Sequence, residues 1–161
     1  MFNFIRSKAA TTAKPARIVI VGGGAGGLIL ATRLARSAQR RGLCEVVLVD
    51  QSLTHIWKPL LHEIAAGSLD SYQDEVGYYK HAARNGYQFQ FGRFKGVDRN
   101  KRVIQIDAAV DRFGVELIPA REVHYDYLVM ALGSVSNDFG IPGVREHCVL
   151  FEGREQAERL H

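Results

Sequence analysis

A strand, a cluster of glycines and a helix follow one another near the N-terminus, and this unit constrains the fold more than any other feature. Residues Arg17–Val21 form a short β-branched run that ends at Gly22–Gly24. A continuous apolar run that ends at a turn is typical of a strand buried on both faces of a parallel sheet. From Ala25 to about Arg41, apolar residues recur at helical spacing, and Gly42 follows as a helix stop. The unit predicts a buried strand that turns through glycines into an amphipathic helix.

A second β-branched run, Glu45–Asp50, completes a strand-helix-strand unit of the length that a right-handed parallel crossover needs. This order predicts the α/β class, with a doubly wound (Rossmann-like) parallel sheet. Pro59 is expected to break any helix in the segment Trp57–His62. One further helix is predicted over residues 74–84. Four further strands are predicted at Tyr87–Phe91, Arg102–Ile106, Val115–Ile118 and Tyr125–Leu132, and the second and third of these suggest a small antiparallel insertion.

The composition fits one globular domain: the 161 residues are 47% hydrophobic and 24% charged. The net charge is +4, and the only dense basic patch recurs at helical spacing without interleaved aromatic residues. We interpret that patch as a solvated helix face, and no nucleic-acid partner is expected. It consists of Arg33, Arg36, Arg40 and Arg41.

The glycines also have the spacing of a dinucleotide site. Gly22, Gly24 and Gly27 form G-x-G-x-x-G between the predicted strand and helix, and Asp50 ends the next strand. In such a site the first glycine permits the tight turn, the second lets the backbone approach a pyrophosphate, and the third allows close contact between helix and strand. An acid such as Asp50 accepts hydrogen bonds from the adenosine ribose. The pattern predicts a dinucleotide, without distinguishing NAD from FAD.

Four segments give a more specific resemblance. They are RIVIVGGGAGGL (Arg17–Leu28), THIWKPLLHEIAAGSLD (Thr54–Asp70), YDYLVMALGSVSNDFGIPGV (Tyr125–Val144) and REQAERL (Arg154–Leu160). Together they resemble type II NADH dehydrogenases, which carry FAD, oxidise NADH and reduce a membrane quinone.

The resemblance implies the residues of an FAD site. The glycine turn, with Ala25 and Gly26, and the acid Asp50 would hold the ADP half, with Gln51 beside the ribose. The backbone of Phe94 would meet the adenine, and Lys58 and Pro59 would lie near the isoalloxazine, where a lysine stabilises negative charge on the flavin. Along the pyrophosphate would lie Ala131, Leu132 and Gly133. No catalytic residue is identified.

The same resemblance implies the wider context. The NADH site would belong to a second nucleotide domain outside these 161 residues, so that the FAD-binding domain described by the sequence is incomplete. Membrane contact would come from helices that also lie outside this chain, and a homodimer is one candidate assembly. The expected location is the cytoplasmic face of the bacterial inner membrane, as a peripheral protein, with mitochondria as the second candidate.

Three divisions of the chain are expected. Residues 1–16 contain Arg6, Lys8 and Lys14 but no acid, which is the composition of a transit peptide. Because sixteen residues with Pro15 leave little room for an amphipathic helix and a cleavage site, a short disordered leader is expected instead. Residues 17–150 would form the FAD-binding domain, and residues 151–161 would begin a helix that leads to the NADH-binding domain.

Two other functions stay open. A sulfide:quinone oxidoreductase shares the architecture but uses redox cysteines near the flavin. Here Cys148 is the only candidate for such a cysteine. Cys44 is expected to be a small buried residue at the start of the second strand, the end opposite the ligand edge of the sheet. A non-catalytic nucleotide-binding module is the second alternative. His55 and His62 flank the Lys58 segment, but without further ligands we expect packing or flavin-lining roles and no metal.

Overall fold

A parallel sheet forms the framework of the computed structural model, which describes residues 14–70 and 75–161. Its four strands are β1 (Ala16–Val21), β2 (Cys44–Asp50), β5 (Gln88–Phe91) and β11 (Tyr127–Met130). The order is β11-β1-β2-β5, and every pairing is parallel. The chain winds outward from β1 to β5 and then returns to the other side of β1, which is the strand order of a doubly wound sheet. The predicted α/β class is confirmed.

Helices cover one face of this sheet. Helix α1 (Ala25–Ser37) connects β1 to β2, and α3 (Tyr78–Asn85) precedes β5. Successive side chains of a strand point to opposite faces, so Ile20 and Leu48 point to the helices and share a buried cluster with Ala31. The amphipathic face that the sequence predicts for α1 therefore packs on the sheet.

An antiparallel insertion covers the other face. It contains a sheet of β6 (Phe94–Asp98), β7 (Val103–Ile106) and β10 (Arg121–His124), and a hairpin of β8 (Ala109–Val110) and β9 (Glu116–Ile118). Val21 and Val49 of the parallel sheet pack against Ile104 and Ile106 of the insertion. Because both faces of β1 and β2 are covered, their sequences are continuous apolar runs rather than alternating ones.

Short elements fill the connection between β2 and α3. They are β3 (Thr54–His55), a 3-10 turn (Lys58–Leu60), α2 (Leu61–Ala65) and β4 (Val76–Gly77), which pairs with β3. After β11 come α4 (Val144–His147) and α5 (Arg154–Leu160). Helix α5 packs on α2 through Leu61, Ile64 and Ala157. Within the described ranges, no helix has the length and apolar character needed to span a membrane.

The first helix is shorter than its sequence pattern predicts. It ends at Ser37, and residues Gln39–Arg41 form a separate 3-10 turn that Gly42 closes with φ +71°. The side chain of Gln39 explains the break, because its Oε1 accepts a hydrogen bond from the Val46 amide at 3.0 Å and its Nε2 donates to the Gly86 carbonyl. The α-helix therefore gives way to a 3-10 turn where Gln39 bonds with β2 and with Gly86, the residue that follows α3.

Two further predictions about helices are corrected. Pro59 begins a helical segment rather than breaking one, because it occupies the first turn of the 3-10 helix that leads into α2, where its missing N–H is not needed. The helix predicted over residues 74–84 begins only at Tyr78, because Val76–Gly77 pairs with β3. Asp74 lies outside the described residues.

The strand predictions are also corrected in detail. The two runs expected to form the antiparallel insertion do not pair with each other: β7 pairs with β6 and β10, and β9 pairs with β8. The apolar run Tyr125–Leu132 predicts a buried strand, whereas among the described strands β11 pairs with β1 alone, and Tyr127 is 63% exposed. Of the expected leader, residues 1–13 lie outside the described residues, and Ala16 already belongs to β1.

Candidate functional site

The glycine turn at the carboxyl end of β1 is built by close backbone contacts. Gly22 has φ +105°, and its amide donates to the Val49 carbonyl at 2.8 Å. A Cβ on Gly22 would lie 2.2 Å from the carbonyl oxygen of Ala131, and a Cβ on Gly27 would lie 1.8 Å from that of Gly22. These two glycines therefore have the local geometry predicted for them, a tight turn and a close approach of helix to strand.

Gly24 differs from its neighbours because it faces open space. A Cβ at this position would meet no atom within 4 Å, and Gly24, Ala25 and Gly26 are all exposed. Helix α1 begins here without a side-chain cap. Among the described residues, the first amide of the helix with a backbone acceptor is that of Leu28, which donates to Gly24 at 2.9 Å. Unpaired amides and the positive end of the helix dipole make this turn suited to an anion.

Asp50 lies beside the turn at the end of β2. Its Oδ2 accepts the amide hydrogen of Gly23 at 2.6 Å, and its Oδ1 accepts that of Ser52 at 2.8 Å. Each carboxylate oxygen has a second lone pair, and the side chain is half-exposed, so Asp50 can also accept hydrogen bonds from ligand hydroxyls. Gln51 follows directly and is exposed.

The end of β5 extends the site beyond Asp50. The amide of Gly92 donates to the backbone carbonyl of Asp50 at 2.9 Å, and Phe94 then opens β6. The guanidinium of Arg121 donates to the Phe91 carbonyl, and its Nη1 is buried without a partner among the described residues. Arg121 therefore ties the antiparallel insertion to the strand end next to Asp50.

The segment after β11 forms the other side of the site. The Ala131 amide donates to the Val21 carbonyl at 2.7 Å, so Ala131 continues the alignment of β11 with β1, and Leu132 and Gly133 follow as exposed residues. Lys58 is exposed, and its Nζ donates to the Ser134 carbonyl at 3.1 Å. Lys58 and the exposed Pro59 are thus brought to the segment after β11, next to the glycine turn.

Tyr78 is a contributor that the sequence interpretation missed. Its hydroxyl donates to the Gly23 carbonyl at 2.7 Å, and the side chain is only 2% exposed. The ring stacks on Phe89 with centroids 4.9 Å apart. Burial raises the pKa of Tyr78 far above its ordinary value, and the charge of Asp50 acts in the same direction. No sequence motif distinguishes this tyrosine from the adjacent Tyr79.

His55 and His62 differ in burial. His55 is half-buried near the Tyr78 ring, and burial lowers its pKa. His62 is exposed, with the Glu63 carboxylate 3.9 Å away. In residues 14–70 and 75–161, no three His, Cys, Asp or Glu side chains are grouped as a metal site would require.

The two cysteines are both free and differ in burial. Cys44 is buried at the start of β2, the end opposite Asp50, as the sequence predicts, and Cys148 is exposed after α4.

Comparison with known proteins gives the family. The model of the pyridine nucleotide-disulphide oxidoreductase family matches residues 16–161. The chain is 42% identical over 143 residues to the type II NADH:quinone oxidoreductase of Haemophilus influenzae, covering 89% of this chain and 32% of that protein. It is 32% identical to alternative NAD(P)H-ubiquinone oxidoreductase C1 of Arabidopsis thaliana, and the match covers 92% of this chain and 29% of that protein. The chain spans about a third of the length of these relatives.

Solved structures share the fold. NDH2 from Plasmodium falciparum, in complex with NADH, superposes with a TM-score of 0.72 at 22% identity, covering 92% of this chain and 28% of that one. Sulfide:quinone oxidoreductase from Aquifex aeolicus superposes with a TM-score of 0.69 at 20% identity, covering 90% of this chain and 30% of that one. On the family match over nearly all of its length, the chain belongs to the pyridine nucleotide-disulphide oxidoreductase family.

Proposed function

We propose that this chain is the FAD-binding part of a non-proton-pumping NADH:quinone oxidoreductase of type II. One observation carries the proposal: the open turn at Gly24 and the acid Asp50 lie side by side at the carboxyl edge of a doubly wound sheet. That edge, at the point where the strand order reverses, is where such sheets bind dinucleotides. The similarity to type II NADH:quinone oxidoreductases supports FAD as the dinucleotide.

The residues present fit the ADP half of FAD. The amides of Gly24, Ala25 and Gly26 would hold the pyrophosphate, because these residues are exposed and their amides have no acceptor among the described residues. Asp50 would hold the ribose hydroxyls with its free lone pairs. Further contacts of the cofactor would come from Gly22, Gly27, Gln51, Phe94, Ala131, Leu132 and Gly133.

The Lys58 segment would serve the flavin half. Bound FAD would supply the hydride acceptor of the reaction. The ammonium group of Lys58 is exposed and is held by the Ser134 carbonyl, so it presents a positive charge beside the segment that follows β11. We propose that this charge stabilises negative charge on the reduced flavin and that Pro59 fixes the first turn that carries Lys58.

The activity of the whole protein is part of the same proposal. NADH would deliver hydride from a site outside these 161 residues, and a membrane quinone would receive the electrons. The protein would act peripherally at the cytoplasmic face of a bacterial inner membrane, or at a mitochondrial membrane as the second candidate, attached through segments outside this chain, with a homodimer as one assembly.

The alternatives have less support from the described residues. Sulfide oxidation by a cysteine pair is disfavoured because Cys44 lies in the core at the end of β2 opposite to the proposed site. A non-catalytic nucleotide-binding module would use the same turn and acid, so the presence of flavin distinguishes it from the proposed oxidoreductase.

Titration of the purified chain with FAD tests the proposal. We expect stoichiometric quenching of flavin fluorescence, and competition by ADP, since both ligands share the pyrophosphate and the ribose. A chain that binds ADP but not FAD would support the non-catalytic module. A folded chain that binds neither would contradict the proposed site.

A further inference from the structure

The geometry points to Tyr78 as a positioning residue of the pyrophosphate-binding turn: its hydroxyl holds the Gly23 carbonyl toward the core and thereby directs the Gly24 amide outward. This inference rests on the proposed dinucleotide function and adds a residue to it that belongs to no nucleotide-binding motif. The contact spans 55 residues of sequence, from the glycine turn to the first residue of α3.

The planarity of the peptide bond connects the two groups. In a trans peptide, the carbonyl of one residue and the N–H of the next point in opposite directions. The described chain has no cis peptide bond. Because the Gly23 carbonyl accepts the buried Tyr78 hydroxyl at 2.7 Å, the Gly24 N–H points away from the core. Gly24 itself is exposed, and a Cβ on it would meet nothing within 4 Å, so its surroundings leave room for a ligand.

The preceding peptide is fixed from the other direction. The Gly23 amide donates to Asp50 at 2.6 Å, so the Gly22 carbonyl points the opposite way, toward helix α1, where a Cβ on Gly27 would meet it at 1.8 Å. Both peptide planes that flank Gly23 are therefore held by side chains, Asp50 on the amide and Tyr78 on the carbonyl.

Tyr78 is itself rigidly placed. Its ring stacks on Phe89, and its own amide donates to the Leu53 carbonyl at 3.0 Å. A Cβ on Gly23 would lie 2.4 Å from the Tyr78 oxygen, so the contact leaves room for glycine alone. A hydroxyl held in this way orders the turn before the ligand arrives, which lowers the entropy lost on binding.

Tyr87 offers a matched control. It is also buried, at 4% exposure, and belongs to the same core cluster. Its hydroxyl pairs with His81 Nδ1 at 2.8 Å rather than with the glycine turn. Removing either hydroxyl perturbs the core, but only the Tyr78 hydroxyl contacts the peptide that carries the Gly24 amide.

The test compares Tyr78→Phe with Tyr87→Phe in the 161-residue chain, with ADP and adenosine as probes. We expect the Kd for ADP to rise about tenfold in Tyr78→Phe, while the Kd for adenosine, which lacks the phosphates, stays within twofold. Tyr87→Phe should leave both values unchanged. In ¹⁵N-resolved NMR spectra, the shift of the Gly24 amide on ADP binding should shrink in Tyr78→Phe. Replacing Tyr78 with 4-aminophenylalanine, which restores a donor, should restore ADP binding.

Each other outcome overturns a distinct statement. If the folded wild-type chain binds no ADP or FAD, the proposed function fails together with this inference. If the wild type binds ADP and Tyr78→Phe binds it equally well, the positioning role alone is wrong. Equal weakening of ADP and adenosine, or a Tyr78→Phe chain that does not fold by circular dichroism, would make Tyr78 a structural residue and overturn the positioning role.

Discussion

Gly27→Ala should destabilise the protein far more than the same substitution one residue earlier, at Gly26. Both glycines lie in the first turn of α1, and both gain a single methyl group. The new Cβ at position 27 would lie 1.8 Å from the Gly22 carbonyl oxygen, whereas at position 26 it would meet nothing within 4 Å. The pair therefore isolates the contact between helix and turn from the general effect of alanine in a helix.

The size of the effect follows from what must move. An ordinary carbon contact needs about 3.5 Å, so the two backbone segments must separate by roughly 1.7 Å. Neither atom belongs to a flexible side chain, and Gly22 is held by its hydrogen bond to Val49. Overpacking in a core typically costs about 1–3 kcal/mol, and we expect Gly27→Ala to reach at least the upper end of that range. Gly26→Ala should be neutral or stabilising by up to about 1 kcal/mol.

Urea unfolding of the FAD-free chain, followed by circular dichroism, measures the difference directly. A stability of about 5–15 kcal/mol is typical of a domain, so a loss of about 3 kcal/mol shifts the midpoint clearly. If the two variants unfold within about 0.5 kcal/mol of each other, within the range of ordinary surface substitutions, the close approach of α1 to the turn does not stabilise the fold, and the reasoning is wrong.

Three further predictions concern the site and its surroundings. Gly24→Val should abolish FAD retention on gel filtration while changing the free energy of unfolding of the free chain by less than about 1 kcal/mol, and a variant that keeps its flavin would exclude this turn as the site. Asp50→Ala should weaken FAD binding by about 2–3 kcal/mol and also destabilise the free chain, because the Gly23 and Ser52 amides lose their acceptor; an unchanged Kd would show that Asp50 does not contact the ribose. Burial lowers the pKa of folded His55, so the unfolded chain takes up more protons below pH 6.5, and the free energy of unfolding should decrease from pH 7 to pH 5. His55→Gln should make this decrease shallower in urea titrations at several pH values, and an identical slope would count against a buried neutral His55.

The sequence predicts the parts of this fold that local interactions determine. β1, the glycine turn, α1 and β2 follow one another within about 35 residues, and each is specified by a pattern inside its own segment. The same local logic places Asp50 at the end of β2.

Contacts between distant segments account for what the sequence does not predict. The end of α1 depends on Gln39, whose amide bonds with β2 and Gly86, and the pattern of α1 alone contains no sign of it. Strands β6 and β10 are four or five residues long and half-exposed, so their apolar content is too low to distinguish them from loops. Tyr78 joins the site through a contact with Gly23, and only the folded chain distinguishes it from Tyr79.

The pairing of β11 with β1 joins segments far apart in sequence, and we expect it to form late in folding. The amide of Arg17 donates to the Asp126 carboxylate, 109 residues further along the chain. Ala131, whose carbonyl oxygen lies against Gly22 of the turn, directly follows β11. Closing so long a loop is entropically unfavourable and slow compared with forming the local unit of β1, α1 and β2. The turn should therefore be complete only after β11 docks, and a cofactor bound there would stabilise the long-range pairing of β11 with β1.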